Sequence, residues 1–460
     1  MSELNFKSKP VGQSLVSEPA RDVPVARDAD VVVCGAGPAG VAAAIASAAS
    51  GAKTVLIESA GCLGGVWTSG LLTYVLDPKG DSPVTNRLTS ELDRLGGYAR
   101  RKGLDESFAE PKPGWAEHCF IYEPETMKWV LERECLQLKV NTRLYTRVCS
   151  VVKDREDPRK ITAVITESKS GREAWGGKIF IDATGDGDLA AQAGCRFSLG
   201  RPDSGEVQPL TLMCMVQTPH VDRVQPLARK AGKCLKEAIE AAGVNTSYGA
   251  PVLFEIRPDL YGFMMNHKYG SALNADELSK ATFEARNEVM LAIRQMRDSG
   301  GPWEGLRVVA TGAHIGIREG RRIQGRYTVT AEDLTEGRSH SDAVCRVHFP
   351  IDVHATKIKG KSSGFDAENK MRSQPYDVPL RAMIAADVDN LMMAGRNISG
   401  DFIAHSSYRV TGNSVAMGEA AGAFAADVVR RDETLTDADT KRVKFCLENL
   451  EEALGLTVEA

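Results

Sequence analysis

The sequence predicts an α/β protein built around a parallel sheet, and features near its N-terminal end carry this prediction. Asp30–Cys34 and Thr54–Glu58 are short runs rich in β-branched residues, which are typical of strands buried on both faces. Between them, Gly37–Ser50 is rich in Ala and other small residues and predicts a helix. A strand, a glycine turn, a helix and a strand within about thirty residues form a βαβ unit, whose crossover is right-handed.

Further elements are predicted along the rest of the chain. The predicted strands are Val148–Val152, Ile161–Glu167, Lys178–Ala183 and Asn390–Ala394, and the predicted helices are Thr126–Gln137, Glu277–Asp298 and Asn413–Arg430. The buried strands lie far apart in sequence. We therefore expect discontinuous domains.

The turn after the first strand has the pattern GxGxxG. Its residues are Gly35, Ala36, Gly37, Pro38, Ala39 and Gly40. The first glycine permits a tight turn, the second lets a diphosphate approach the backbone, and the third lets the helix pack on the strand. Glu58 follows Gly35 by 23 residues and ends the second strand, where a carboxylate suits an adenosine ribose. The full βαβ context favours dinucleotide binding over a merely structural turn.

Four later segments of the chain resemble motifs of one known protein family. They are Gly61–Gly70, which contains Gly64, Gly65 and Thr68; Ile181–Gly194 (IDATGDGDLAAQAG); Gly316–Leu334; and Ala394–Asp401 (AGRNISGD) followed by Arg409–Val428. Together with the glycine turn, they resemble the motifs of the broad FAD-dependent oxidoreductase family, related to the fumarate-reductase flavoprotein and glutathione-reductase folds. The resemblance covers about residues 28–430 and implies a Rossmann-like FAD-binding domain with a single dinucleotide-binding site.

The resemblance also implies which residues contact FAD. The expected set is Gly35, Gly37, Pro38, Ala39, Gly40, Glu58, Ser59, Gly64, Gly65, Thr68, Val148, Ala183, Thr184, Gly185, Gly395, Arg396, Asp401, Asn413, Ser414 and Val415. Arg396 either binds a diphosphate oxygen or forms a surface salt bridge. Val148 either offers backbone groups to the adenine or is a plain core residue. A helix that starts near Asn413 or Ser414 would direct its positive end to the pyrimidine edge of the flavin.

Two departures from related flavoproteins limit the expected chemistry. Disulfide reductases carry two cysteines after the Gly-Gly pair, whereas here Cys62 alone is nearby and precedes Gly64. No second complete GxGxxG follows a strand. We expect neither a redox-active disulfide nor a built-in NAD(P)H domain, so the electron acceptor stays unknown.

His405, Arg409 and His354 are the candidate catalytic residues. His405 and Arg409 lie just before the helix expected to cap the flavin, a position that suits a polar substrate and proton transfer. His354 shares one face of an extended segment with Asp352, which is placed to orient it. The alternative for His405 is a histidine satisfied by backbone groups near a helix start.

Other polar residues leave alternatives open. Arg318, Arg321 and Arg322 surround Glu319 and either grip an anionic substrate group or form a structural network, which we favour slightly. The spacing of His340, Cys345, His348 and His354 fits no recognised zinc pattern, so we expect no metal.

The expected FAD-binding domain is discontinuous and comprises 28–75, 141–205, 306–335 and 376–430. An α+β substrate or cap domain would comprise 76–140, 206–305 and 336–375, and 431–460 would form a C-terminal helical tail. The active site is expected between the two domains.

The predicted function is a dehydrogenase or oxidase that moves hydride from a polar, sugar-like or hydroxylated substrate to the flavin. Two rivals remain: a flavin-dependent reductase of an unsaturated acid and a tRNA-modifying flavoprotein.

The amino-acid composition limits the binding partners and the cellular location that we expect for the protein. The 460 residues include 57 Lys and Arg against 61 Asp and Glu, a formal net charge of −4 that disfavours a nucleic-acid partner. Ten cysteines without a CxxC pair, and no signal-peptide pattern at the start, predict a reducing, cytoplasmic location. The apolar stretch 29–52 is interrupted by glycines, so we expect no membrane span. The expected partners are a small-molecule substrate and an unknown electron acceptor, and the oligomeric state stays open.

Overall fold

A computed structural model describes residues 17–78, 82–99, 119–229, 233–357, 363–366 and 370–455. The strands are β1 (Val25–Cys34), β2 (Thr54–Ile57), β3 (Tyr74–Val75), β4 (Tyr98–Ala99), β5 (Phe120–Tyr122), β6 (Asn141–Arg143), β7 (Arg147–Lys153), β8 (Ile161–Ser168), β9 (Gly171–Asp182), β10 (Phe197–Ser198), β11 (Cys214–Gln217), β12 (Val252–Arg257), β13 (Leu260–Met264), β14 (Arg307–Thr311), β15 (Arg322–Ile323), β16 (Ala343–Val347), β17 (Tyr376–Pro379) and β18 (Leu391–Met393). The helices are α1 (Pro38–Ala49), α2 (Pro83–Arg94), α3 (Pro124–Gln137), α4 (Asp188–Gln192), α5 (Val221–Arg229), α6 (Lys233–Ala241), α7 (Ala275–Ser299), α8 (Ala331–Glu336), α9 (Phe402–Tyr408), α10 (Thr411–Arg430) and α11 (Val443–Ala453).

The predicted α/β fold with a parallel sheet is confirmed by the largest sheet. Its seven strands follow the order β6-β2-β1-β9-β8-β7, and β18 also pairs with β9. Strands β6, β2, β1, β9 and β18 are parallel, whereas β7 and β8 add an antiparallel edge. The end of β1, from Val31 to Cys34, is completely buried, as expected for a central strand covered on both faces.

Two helices of small residues cover one part of this sheet. α1 starts at Pro38, directly after Gly37, and all residues from Pro38 to Ser47 are buried. It packs closely along α10, a helix buried from Gly412 to Val428. α10 begins at Thr411, two residues before the predicted start, and Val410 is its N-cap residue with an extended backbone.

A second, antiparallel sheet has the order β12-β13-β11-β14 and packs against α5, α6 and α7. Asn274 caps α7 by accepting hydrogen bonds from the backbone N–H groups of Asp276 and Glu277, at 3.0 and 3.2 Å. β14 belongs to this second sheet through its pairing with β11, although it lies in a segment predicted for the FAD-binding domain. The limits of the two predicted domains stay predictions.

Within the described ranges, no helix has both the length and the apolar character that a bilayer crossing requires. The predicted C-terminal tail contains α11, and its last five residues, 456–460, lie outside the described residues.

Candidate functional site

The glycine turn between β1 and α1 has the close contacts that its sequence pattern requires. Gly35 has a φ of +92°, and a Cβ there would lie 2.5 Å from the carbonyl oxygen of Ala183. A Cβ on Gly40 would lie 1.8 Å from the carbonyl oxygen of Gly35. A Cβ on Gly37, by contrast, would meet no atom within 4 Å. Two of the glycines are therefore required by packing, while Gly37 borders open space in front of α1.

Glu58 connects the end of β2 to this turn. Its carboxylate is buried and accepts hydrogen bonds from the backbone N–H groups of Ala36 and Ala60, at 2.6 and 2.7 Å, and from the hydroxyl of Ser59 at 3.0 Å. The backbone N–H of Gly64 donates to the carbonyl of Ala36 at 2.8 Å. These contacts bring Glu58, Ser59 and the loop that follows against the glycine turn.

The Gly64–Thr68 loop packs on the same turn. A Cβ on Gly65, whose φ is +52°, would lie 2.9 Å from the Cα of Gly37. The hydroxyl of Thr68 donates to the carbonyl of Leu63. The loop is thus fixed beside the open space at Gly37.

Two further segments reach the same place from distant parts of the chain. The Ala183 N–H donates to the Cys34 carbonyl at 2.8 Å, which sets the Ala183–Gly185 turn beside the end of β1. At the end of β18, a Cβ on Gly395 would lie 3.2 Å from the Cβ of Ala39, in α1, and 3.7 Å from the hydroxyl of Ser414. The structure therefore brings together the glycine turn, the Ala-Thr-Gly turn and the start of α10.

Arg396 combines the two alternatives left open by the sequence. Its Nη2 donates to Asp186 at 3.0 Å and also lies close to Gly185. Its Nη1 is buried and makes no hydrogen bond to any residue that the structure describes. One nitrogen therefore makes a structural ion pair, while the other remains a free donor that suits a diphosphate oxygen.

The start of α10 also carries unpaired polar groups. Asn413 is completely buried, and neither atom of its amide has a hydrogen-bond partner among the described residues. The hydroxyl of Ser414 donates to the carbonyl of Val410, and Val415 is buried. An amide with one donor and one acceptor edge suits the alternating polar atoms of a flavin pyrimidine ring. Together with Gly37 and Arg396, this amide gives a site whose open space and free donors fit FAD.

Two predicted FAD ligands have other roles in the structure. Asp401 is the N-cap of α9: its carboxylate accepts from the N–H groups of Ala404 and Ala331, both at 2.7 Å. Val148 is half-buried on β7, where it pairs with Thr166 on β8. Their contacts with FAD stay predictions.

The catalytic candidates Arg409 and His354 meet at Asp352. The Nη2 of Arg409 donates to the Asp352 carboxylate at 3.2 Å and to its carbonyl at 2.9 Å, and Nε2 of His354 lies 3.4 Å from the same carboxylate. Burial, helped by the charge of Arg318, lowers the pKa of His354 to about 4 despite the nearby Asp352. Burial raises the pKa of Asp352, but the charges of His354 and Arg409 outweigh it and lower this pKa to about 2.

His405 lies apart from that array, inside α9. Its ring is fully buried and packs edge-on against Tyr408, with ring centroids 5.6 Å apart. Burial, followed by the positive charges of Arg322 and Arg409, lowers its pKa well below the usual value. The imidazole is therefore neutral at pH 7, and its catalytic role stays a prediction.

The structure adds three residues that the sequence did not single out. Tyr248 and His267 stack with centroids 4.2 Å apart, and His267 meets His354 edge-on at 4.9 Å. Gln208 accepts hydrogen bonds from Arg409 and from the backbone N–H of His354, at 3.3 and 3.1 Å. Tyr248 and His267 come from the mixed segment 206–305. The only local signal was a histidine, His267, three residues after the end of the apolar strand β13.

The three arginines around Glu319 separate into different roles. Arg322 forms a fully buried ion pair with Glu319 at 2.5 Å, and Arg321 pairs with Asp188 at 2.9 Å. Both are structural, as the slightly favoured alternative predicted. Arg318 instead donates to the carbonyl of Pro209 and the hydroxyl of Thr211, and its charge contributes to the lowered pKa of His354.

No group of three His, Cys, Asp or Glu residues in the described part of the chain is arranged to hold a metal ion. None of the ten cysteines, all of which lie in the described ranges, forms a disulfide bond.

The parallel sheet, its glycine turn and the free polar groups facing that turn define a flavin-dinucleotide oxidoreductase. A family model described as FAD dependent oxidoreductase matches residues 30–447, so the chain belongs to this family. It is accordingly an enzyme that uses FAD. A search of curated protein sequences gives no match.

Three solved structures illustrate a distant similarity. A geranylgeranyl bacteriochlorophyll reductase-like protein from Thermoplasma acidophilum is 14% identical, with a TM-score of 0.44 over 94% of this chain and 84% of its own. The flavin-dependent brominase Bmp2 is 13% identical, with a TM-score of 0.47 over 92% and 84%. The p-nitrophenol 4-monooxygenase PnpA from Pseudomonas putida DLL-E4 is 12% identical, with a TM-score of 0.44 over 94% and 88%. Similarities this distant carry no argument about the reaction.

Proposed function

We propose that this enzyme is a dehydrogenase or oxidase that removes hydride from a C–H bond of a polar, hydroxylated small molecule. The observation that carries the proposal is the Arg409–Asp352–His354 array. Within it, Arg409 lies two residues before the start of α10. We further propose that the FAD-binding part resembles the fumarate-reductase and glutathione-reductase folds, and that the enzyme works in the cytoplasm with a separate electron acceptor and without a nucleic-acid partner.

We assign the role of proton acceptor to His354 because of its place in the array and its free ring nitrogen. When bound, FAD would be the hydride acceptor. The proton of the substrate hydroxyl must then pass to a group of the protein. His354 is neutral above its pKa of about 4, and its Nδ1 is buried without a partner among the residues described. A proton arriving at Nδ1 forms an imidazolium, which Asp352 stabilises through Nε2.

Arg409 has the complementary role of orienting the substrate. Its Nε is buried and makes no hydrogen bond within the described ranges, while Nη2 is held by Asp352 and Gln208. The fixed guanidinium thus keeps one donor for a substrate oxygen. The same donor also suits the rival function, reduction of an unsaturated acid, in which Arg409 binds a carboxylate or provides a proton.

Anaerobic mixing of the FAD-loaded enzyme with alcohols, sugars, hydroxy acids and unsaturated acids tests the direction of electron flow. We expect a hydroxylated compound to bleach the oxidised flavin. If none does, and an unsaturated acid instead re-oxidises reduced flavin, the rival function is correct. A tRNA gel shift that weakens with salt would contradict the absence of a nucleic-acid partner.

The variant His354→Gln tests the proton acceptor. We expect flavin reduction by the substrate to slow by about 10²–10⁴-fold, the usual loss when a general base is removed. His340→Gln is the matched control, because His340 is half-buried beside Tyr327 and Arg381, outside the array. Equal rates for His354→Gln and the wild type would exclude His354 as the base.

A further inference from the structure

Arg318 differs from the other arginines near the site because its partners are all neutral. Its Nη1 donates to the carbonyl of Pro209 at 2.8 Å and to the hydroxyl of Thr211 at 2.7 Å, and its Nη2 lies 3.9 Å from the sulfur of Met264. In the part of the chain that the structure describes, no carboxylate forms an ion pair with Arg318, whereas Arg322 pairs with Glu319 and Arg409 with Asp352. Arg318 therefore has no carboxylate in direct contact, and the one carboxylate that acts on its charge, Asp352, is already paired with Arg409.

Arg318 is half-buried, and even partial removal of a charge from water is unfavourable. Burial, together with the charge of Arg409, lowers the pKa of Arg318 to about 10, so the guanidinium is still charged at neutral pH. A structural role that used only the two neutral acceptors would not need a charge. The charge is understandable if an anion binds beside it.

The surroundings of Arg318 contain a second, independent sign of a ligand. Nε2 of His267, Nδ1 of His354 and Nε2 of Gln208 are each buried and have no hydrogen-bond partner in the described ranges, and the three side chains are 0%, 4% and 1% exposed. The rings of His267 and His354 are in contact, and Tyr248 covers His267. Tyr248, His267 and His354 all lie close enough to Arg318 to interact with it electrostatically.

His267 is held firmly in this position. Its Nδ1 makes a 2.9 Å hydrogen bond to the hydroxyl of Ser363, and its backbone N–H donates to the hydroxyl of Ser247 at 3.0 Å. Ser247 in turn donates to the carboxylate of Glu288, on α7, through both its hydroxyl and its backbone N–H, at 2.7 Å each. This network leaves only Nε2 of His267 free for a ligand.

We propose that Arg318 and His267 bind an oxyanion group of the substrate, a carboxylate or a phosphate, while the array at His354 contacts the hydroxyl to be oxidised. The inference rests on the proposed function in taking the ligand to be the substrate. It restricts the substrate to hydroxylated compounds that carry an acidic group. Arg318 and His267 are then specificity-determining residues, and neutral alcohols and sugars are poor substrates.

Anion binding to the FAD-loaded enzyme tests this assignment without turnover. Sodium malonate and inorganic phosphate are the probes, titrated at constant ionic strength with acetamide as the neutral control, and binding is followed by calorimetry. We expect the wild type to bind at least one of the two anions and not acetamide. Preference for malonate indicates a carboxylate, and preference for phosphate indicates a phosphorylated substrate. Absence of binding to both overturns the proposal.

The variant Arg318→Met should weaken anion binding at least tenfold, because a charge-assisted hydrogen bond is lost. Arg318→Lys, which keeps the charge, should retain part of the affinity, and His267→Asn should lose about three- to tenfold. Arg326→Met is the matched control: Arg326 also donates to a carbonyl and a threonine hydroxyl, those of Leu435 and Thr436, away from the site. Wild-type affinity in both Arg318→Met and His267→Asn overturns the assignment.

The two proposals fail in different ways. If anions bind in an Arg318-dependent manner but no hydroxylated compound bleaches the flavin, the anion site stands and the proposed reaction is wrong. If neutral alcohols reduce the flavin as fast as hydroxy acids, the reaction stands and the anion site is wrong.

Discussion

Three buried histidines, His267, His354 and His405, make the protein sensitive to mild acid. Burial lowers the pKa of each in the folded state, to about 4 for His354, whereas an unfolded histidine titrates near 6.5. As the pH falls from 6.5 toward 4, the unfolded chain takes up protons that the folded state does not. Each such histidine therefore costs stability, on the order of 1 kcal/mol per pH unit in this window.

The contribution of His354 can be measured as a difference between two proteins. Burial raises the pKa of Asp182 to about 6, which has the opposite effect in part of the same window, so total stability alone is not diagnostic. We expect the unfolding free energy of His354→Gln to fall less steeply than that of the wild type between pH 6.5 and 5, by about 1 kcal/mol per pH unit, in urea titrations. His314→Gln, at an exposed position, is the control. Parallel curves for His354→Gln and the wild type would contradict a neutral buried His354.

At the scale of single residues, the sequence identified groups whose role depends on local backbone geometry. Gly35, Gly40 and Glu58 were recognisable because a short pattern fixes the turn between β1 and α1. Tyr248 and His267 were not, because they reach His354 only through the pairing of distant strands and an isolated bridge. No spacing in the sequence records such a contact.

At the scale of elements, the same distinction holds. Elements with continuous apolar or small-residue runs, such as α1 and β18, lie within one residue of their predicted bounds. The apolar end of β1 also lies where it is predicted, but the strand begins five residues earlier, at Val25. The antiparallel sheet from β11 to β14 was not predicted. Strands β11 and β13 are mostly buried, whereas β14 is partly exposed along its length and pairs with β11 across a long sequence separation. Its order is set by packing on α5, α6 and α7, which local patterns do not encode.

The close packing of α1 and α10 leads to a prediction about two glycines. A Cβ on Gly418 would lie 2.1 Å from the carbonyl oxygen of Ala39, and one on Gly422 would lie 2.1 Å from that of Ala43. Because the clash is with backbone atoms, the helices must separate to accept a methyl group. Overpacking of this kind costs about 1–3 kcal/mol, more than the gain of up to about 1 kcal/mol in helix propensity.

We expect Gly418→Ala and Gly422→Ala each to lower the unfolding free energy by about 2 kcal/mol, measured by urea denaturation. Gly364→Ala is the control, because a Cβ there would meet no atom within 4 Å. Its stability should stay within about 1 kcal/mol of the wild type. If the two α10 variants matched this control, the helices would be farther apart than the structure shows.

At the scale of the whole molecule, the segments predicted to contact FAD share one topological position. The glycine turn follows β1, Glu58 follows β2, the Ala183–Gly185 turn follows β9, and Gly395 follows β18. These strands are parallel neighbours, so their carboxyl ends lie at one edge of the sheet. Ligands of open α/β sheets bind at this edge. A cofactor there contacts segments from both ends of the chain and links them.

Removal of FAD should therefore destabilise the entire fold. A ligand at 100 times its dissociation constant stabilises the folded state by about 2.7 kcal/mol, so FAD-free protein should unfold at a lower temperature and regain the difference when FAD is added.

The variant Gly37→Ala distinguishes a loss of FAD binding from a loss of folding stability. A Cβ at Gly37 meets no protein atom, and its φ of −68° suits alanine, but the methyl group occupies the space in front of α1. The FAD-free variant should unfold at the wild-type temperature, yet gain little when FAD is added, as measured by thermal denaturation with and without FAD. Equal stabilisation of both proteins by FAD would show that the diphosphate does not lie against Gly37.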